Sequence, residues 1–146
     1  MEVNIKKIDT KESEYVEIGC WRVTERIDNI VRYIKLNDGS VEASKDEKKY
    51  QIAIADILYI ESVDEKSFIY LKDDCYESRR RLYDLEEMLK PNGFMRISKS
   101  VLVNLMRIES IKPALNGRFL CRLSNNEEVI ISRKYVPAIK KKLRGE

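Results

Sequence analysis

From Tyr50 to Ile131 the chain is a succession of short apolar runs, each about the length of one strand, with turn-forming residues between them. Tyr50 to Ile54, Ile57 to Glu61, Ser67 to Lys72, Cys75 to Glu77, Val101 to Val103, Arg107 to Lys112, Arg118 to Leu123 and Glu128 to Ile131 supply the apolar side chains that pack on a pleated surface. Asp73-Asp74, Asn116-Gly117 and Asn125-Asn126 mark reversals between them. Short strands at this spacing predict a mostly β domain with short helices, an α+β chain. Two helices fit between and after the strands. One is capped by Ser78, turns Leu82, Leu85 and Leu89 inward, and stops at Pro91-Asn92-Gly93. The last carries Val136, Ile139 and Leu143 at helical spacing, with Pro137 in its first turn, where no N–H is needed.

Upstream the pattern changes. Met1 to Ile8 and Tyr15 to Cys20 alternate as strands do, separated by the polar break 9–13. Val23, Ile27, Ile30, Val31 and Ile34 then form one apolar stripe of a helix, with Thr24 as its N-cap and 37–40 as its stop. The charged seam at Ser44 to Lys49 is the natural boundary. Residues 1–45 are thus expected to be a β-β-α appendage that can serve as a dimer or partner surface, and residues 46–146 the main domain.

Composition excludes several classes. No apolar run approaches the roughly 20 residues that span a bilayer, and nothing at the N-terminus reads as a signal peptide. Cys20, Cys75 and Cys121 are odd in number and widely spaced, which favours free thiols and a cytoplasmic setting. With no histidine, the commonest general base and metal ligand is missing, so no cofactor, metal or small-molecule substrate is expected. Asp73-Asp74 and Glu86-Glu87 lie in a turn and on a helix surface with no nucleophile or phosphate loop beside them, so an enzyme is not expected either. The net charge of +3 hides an asymmetry: residues 1–93 sum to −5 and residues 94–146 to +8. An acidic first part and a basic last part suit a reader of nucleic acid with a separate appendage.

Within the basic part, Phe94 to Asn104 and Ile130 to Tyr135 have the same design. An apolar run that can anchor in a core meets a short donor-rich step: Ser98-Lys99-Ser100 in one case, Ser132-Arg133-Lys134 in the other. Ser and backbone N–H groups can position a phosphate while Arg and Lys neutralise it or read a base edge. The same residues would also make two ordinary surface turns, and the residues alone leave both readings open. Arg79-Arg80-Arg81 opposes a helix dipole and reads first as a solvated triplet. Tyr70 and Tyr76 could stack bases, but their alternation within strands favours core packing.

The run FMRISKSVLVN at 94–104, with IESI at 108–111 and ISRKYV at 131–136, resembles the core signature of the LytTR family of bacterial DNA-binding output domains. The likeness extends upstream through 56–62 and the helix of Leu82, Leu85 and Leu89, covering about 47–144. It implies an elongated stack of small β-sheets that reads double-stranded DNA through inter-strand loops. Carried over residue by residue, it makes Ser98, Lys99 and Ser100 one reading loop and Arg133, Lys134 and Tyr135 another, with Arg133 and Lys99 on bases and Lys134 on phosphate. Arg96 stands between DNA contact and a salt bridge, and Asn104 is expected to bond backbone internally. Lys66 and Ser67 fall where the family has a third DNA-facing loop, acidic here apart from Lys66. Many members carry a histidine in the first loop and this chain does not, which implies a different sequence preference.

The resemblance further implies a transcription regulator acting on paired repeats, as a homodimer or a cooperative pair. A 45-residue extension is too short for the receiver domain of a response regulator, which resembles the subgroup restrained by a membrane-protein regulator. The alternative is a protein-interaction module or an RNA-binding protein under such a partner.

Overall fold

The computed structural model describes residues 1–145. Among the described residues ten strands and three α-helices follow one another, and the strands form two sheets. The first helix, α1 (Glu25–Asn37), begins where Thr24 Oγ1 accepts the Ile27 N–H at 3.4 Å and carries Glu25 and Asp28 in its positive first turn. Strands β1 (Ser40–Lys45) and β2 (Lys48–Ala53) make a hairpin, with Asp46 and Glu47 in the left-handed region at the turn. Strands β3 (Tyr59–Val63), β4 (Lys66–Tyr70) and β5 (Cys75–Ser78) follow, then helix α2 (Leu82–Leu89), then β6 (Phe94–Arg96) and β7 (Val101–Asn104). These seven strands form one sheet in the order β2-β1-β5-β4-β3-β7-β6, and every pairing is antiparallel. Strands β8 (Ile108–Pro113), β9 (Phe119–Leu123) and β10 (Glu128–Ile131) form a second sheet, and α3 (Val136–Leu143) ends the chain.

Two cores hold these layers. Consecutive residues of a strand face opposite sides of its sheet, and β7 shows the consequence. Leu102 packs in a cluster with Ile57, Ile60, Ile69, Leu85, Leu89 and Phe94, under α2. Val103 packs in a second cluster with Ile97, Cys121, Leu123, Ile131 and Ile139, under the small sheet and α3. The large sheet is therefore buried on both faces around β3 and β7. Asn104, 3% exposed at the junction, donates from Nδ2 to Ile57 O at 2.8 Å, and its Oδ1 accepts the Met106 N–H at 3.1 Å. It bonds backbone internally, as the sequence reading expects.

The expected mostly β chain with short helices is what forms, but four details differ. Residues 1–8 and 15–20 make no strand. Only the turn at 9–12 is closed, by Glu12 N–H to Asp9 O at 2.9 Å. Their alternation is real, but a strand needs a neighbour for its N–H and C=O groups, and a lone hairpin is marginal in water. The helix is thus the first regular element, not the third of a β-β-α unit. The seam at Ser44 to Lys49 is the turn of the β1–β2 hairpin, so the expected division at 45/46 falls between two strands of one sheet. Ser78 does not cap α2: it ends β5, where its Oγ accepts the Arg80 N–H at 3.2 Å, and Arg81 occupies the cap position with no side-chain bond. Leu143 stays 42% exposed in the last turn of α3 rather than facing the core.

Candidate nucleic-acid interface

The two donor-rich steps lie side by side. Ile97 and Ile131 are both fully buried in the second core, and each is the last anchored residue before its loop. Ser132 N–H donates to Ile97 O at 2.8 Å, which joins the base of loop 98–100 to the base of loop 132–134. Ile97 N–H donates to Val101 O at 3.0 Å and closes the first loop on itself, and Ser98 Oγ accepts the Ser100 N–H at 3.2 Å. Ser62 N–H donates to Ser100 O at 2.8 Å, which ties the end of β3 to the same corner. Lys99, Arg133 and Lys134 project from this corner, exposed.

Two further loops share this end. The β3–β4 turn, with Asp64 and Glu65 at positive φ, follows directly from the Ser62 anchor. In the small sheet, Pro113 and Ile131 both pair with Phe119, so the β8–β9 loop emerges beside Ser132. Gly117, at φ +75°, lies so close to Arg133 that an added Cβ would stand 2.9 Å from Arg133 Cδ. Gly117 thus lets the Arg133 side chain lie against the loop, and Asn116 and Arg118 join the basic edge. The sequence reading took Asn116-Gly117 only as a turn. The available signal was an Asn-Gly reversal flanked by arginine within the basic segment, but only tertiary pairing brings it to Arg133.

Not every expected contact is free. Ser67 is 1% exposed and its hydroxyl donates to Arg80 O at 2.7 Å, so it anchors the connection into α2 and does not face a ligand. That expectation is corrected: strand alternation turns residue 67 inward while Lys66 stays outside, 3.5 Å from Glu77 Oε1. Arg96 is held from two sides. Its guanidinium donates to Lys99 O, and its Nε lies 3.2 Å from Glu86 Oε1 on α2. That Nε–H is buried and not aimed at the carboxylate, so the contact is an ion pair rather than an aligned hydrogen bond. Arg96 therefore fastens loop 98–100 to α2, the salt-bridge side of its two expected roles. Tyr135 is half-buried against the second core, with the Lys134 ammonium 5.7 Å from its ring centre. Tyr70 and Tyr76 pack on neighbouring rings, as expected: Tyr59 stacks on Tyr70 at 4.5 Å, and Tyr50 meets Tyr76 edge-on at 5.3 Å. Burial, then the neighbouring Glu127, pushes the Tyr59 phenol well above its ordinary value, so it stays neutral. Among the described residues no cluster of His, Cys, Asp and Glu could hold a metal ion.

Four loops thus gather at one end of two packed sheets, and Lys99, Arg133 and Lys134 stand exposed among them. No two consecutive helices pack as a helix-turn-helix pair, because strands separate each from the next. The chain belongs to the LytTR family: the model of the LytTr DNA-binding domain matches residues 47–144. DNA binding and transcription regulation are the activities that this family and its relatives define. An HTH-type transcriptional regulator of Staphylococcus aureus (strain MSSA476) is 27% identical over 139 residues, covering 93% of this chain and 94% of that protein. The transcriptional regulatory protein YpdB of Escherichia coli (strain K12) is 26% identical over 119 residues, 81% of this chain but 49% of that protein. Among solved structures, the LytTr DNA-binding domain of a Bacillus cereus methyl-accepting/DNA response regulator superposes with a TM-score of 0.67 at 24% identity, covering 71% of this chain and 95% of that one. At that identity the likeness concerns the fold.

Proposed function

We propose that the chain is a transcription regulator that reads double-stranded DNA sequence-specifically through the joined loops 98–100 and 132–134. The observation that carries this reading is the 2.8 Å bond from Ser132 N–H to Ile97 O, because it makes two separate basic loops one rigid surface. In this reading Arg133 bonds a guanine edge with two donors in one plane, Lys99 reads a neighbouring position, and Lys134 neutralises phosphate. Ser98 and Ser100, partly occupied by their mutual loop bond, offer backbone and hydroxyl donors to the sugar-phosphate chain. Lys66, on the adjoining turn, contributes charge rather than readout. Two copies occupy paired repeats, so that each monomer reads a half-site.

Selection from random double-stranded DNA, followed by gel-shift competition, tests this. A recurring motif that outcompetes random duplex, single strands and RNA is the expected result. Equal binding to all of them, or a preference for RNA, would overturn it.

A further inference from the structure

In the N-terminal arm, residues 1–24, Ile8 and Ile18 are half-buried but the other large apolar side chains stand in solvent. Val3 is 85% exposed, Ile5 95%, Val16 66% and Trp21 94%. The arm's two alternating stretches pair with no strand of the chain, although the turn at 9–12 that would join them is closed. Next to the arm, α1 turns its half-buried Ile27, Val31 and Ile34 toward its own domain but leaves Tyr33 73% exposed. Glu25, Arg26, Asn29, Ile30 and Tyr33 line a shallow, mainly apolar concavity there.

We propose that this surface is an interface with a second copy of the chain, the two arms pairing with each other as strands over the exposed sides of the two α1 helices. Three observations select a second copy over another occupant. The first is chemical form: alternating apolar residues with open backbone groups are satisfied by another strand of the same kind, as in sheet addition. The second is charge. The arm carries four Lys or Arg against five Asp or Glu, so it has no excess of cations to attract DNA or an anionic bilayer. The charges are also ordered: 9–17 is net acidic, Asp9, Glu12, Glu14 and Glu17 against Lys11, while the flanks are net basic, Lys6 and Lys7 against Glu2 on one side and Arg22, with Arg26 of α1, against Glu25 on the other. A two-fold interface brings residue i against j and j against i, so a surface carrying an acidic and a basic part complements itself. The third is scale. Tyr15, Trp21 and Tyr33 are all more than three-fifths exposed, and aromatic side chains bury about 150–250 Å² each. With the arm's aliphatic residues they approach the roughly 800 Å² per partner of a standard interface.

The inference deepens the proposed pairing of copies on DNA, but its test uses no DNA and can fail or succeed separately. The full chain is measured by light scattering over a dilution series, beside I5E/V16E. Both substituted side chains stand in solvent, so the fold of the monomer is undisturbed, which circular dichroism and the melting temperature verify. The expected result is a mass near twice 17.2 kDa for the wild-type chain, falling to 17.2 kDa for the variant with an unchanged melting curve of the β domain. A wild-type chain that stays monomeric at the highest concentration overturns the proposal, and hydrogen-exchange protection of residues 3–8 in that monomer would assign the arm to its own chain instead. A variant that remains dimeric overturns it as well.

Discussion

Replacing Arg96 by Ala separates a residue that reads DNA from one that holds a reader in place. Its side chain is 19% exposed and that of Glu86 28%, so both charges are largely out of water. Removing the guanidinium deprives Glu86 of its counter-charge and Lys99 C=O of its donor. The carbonyl lies at the surface and recovers water, so the main loss comes from the carboxylate. Breaking a buried ion pair costs about 3–5 kcal/mol and an exposed one up to about 1 kcal/mol, and the partial exposure of this pair puts the expected destabilisation at about 1–2 kcal/mol. Loop 98–100 keeps its Ile97–Val101 and Ser98–Ser100 bonds but loses its fastening to α2. Lys99 should then sample several positions, and half-site affinity should fall about tenfold, or roughly 1.4 kcal/mol.

The assay is a double-mutant cycle of Arg96→Ala and Lys99→Ala, with affinity and base preference measured for each variant and urea unfolding run alongside. If Arg96 acts through Lys99, the two losses are not additive, with a coupling of about 0.5–3 kcal/mol, and both single variants blur the same base position. Glu86→Gln should reproduce a weaker version of the effect from a residue outside the loops. Additive losses, with Arg96→Ala blurring its own base position and leaving stability unchanged, would refute the positioning role and make Arg96 a reader.

Lys134→Ala should weaken binding on every sequence alike and reduce the slope of log affinity against log salt by about one unit, since each neutralised phosphate contributes about 0.9; titrations at several salt concentrations give the slope. Arg133→Ala and Lys99→Ala should each cost about 1–3 kcal/mol of discrimination at different positions of the site, read by competition with single-base variants of the selected motif. Ile27→Glu with Val31→Glu should lower stability by about 2–4 kcal/mol in urea unfolding, because both side chains are half-buried toward the chain's own sheet and a charge there loses water. Burial pushes the Cys121 thiol up to about 11, so above the ordinary thiol range the unfolded chain loses this proton while the folded chain keeps it. Stability should therefore be unaffected by this group below about pH 8.5 and fall by up to about 2–3 kcal/mol as pH rises toward 11; the alkaline slope of unfolding free energy should be shallower in Cys121→Ala.

What the sequence makes legible here depends on the range of the interaction that decides each feature. Helix α1 is readable because its stripe and its Thr24 cap are local, and the caps and turns at Gly93, Asn116 and Asn126 follow from residues that tolerate positive φ. Strand β1 is hidden because Val41 and Ala43 are its only buried side chains, between polar neighbours, and β2 and β5 on either side complete it. The opposite error occurs at 1–8 and 15–20, where the pattern is present and the partner is absent from the chain. The site divides in the same way. That Lys99, Arg133 and Lys134 stand exposed on adjacent loops is foreshadowed by composition and by likeness to a family, since they need only be basic and follow a buried anchor. Ser67 and Arg96 share that appearance, yet their roles are fixed by Arg80 O, Glu86 and Lys99 O, partners that no local pattern announces.

The same distinction explains how a chain this small can hold a rigid reading edge. Ile97 and Ile131 belong to one core although one directly follows β6 of the large sheet and the other ends β10 of the small one, and the bond between Ser132 and Ile97 joins the ends of those two strands at that point. Loop 98–100 is further attached to β3 by Ser62 and to α2 by Arg96, while Gly117 leaves room for the Arg133 side chain against the β8–β9 loop. Each loop is therefore fixed by an element distant in sequence, and a shift of either sheet relative to the other would separate Lys99 from Arg133. The spacing between Lys99 and Arg133 is consequently a property of the packing between the sheets, so under the proposed reading substitutions that repack Ile97, Ile131 or Ile139 should alter which bases are preferred before they abolish binding.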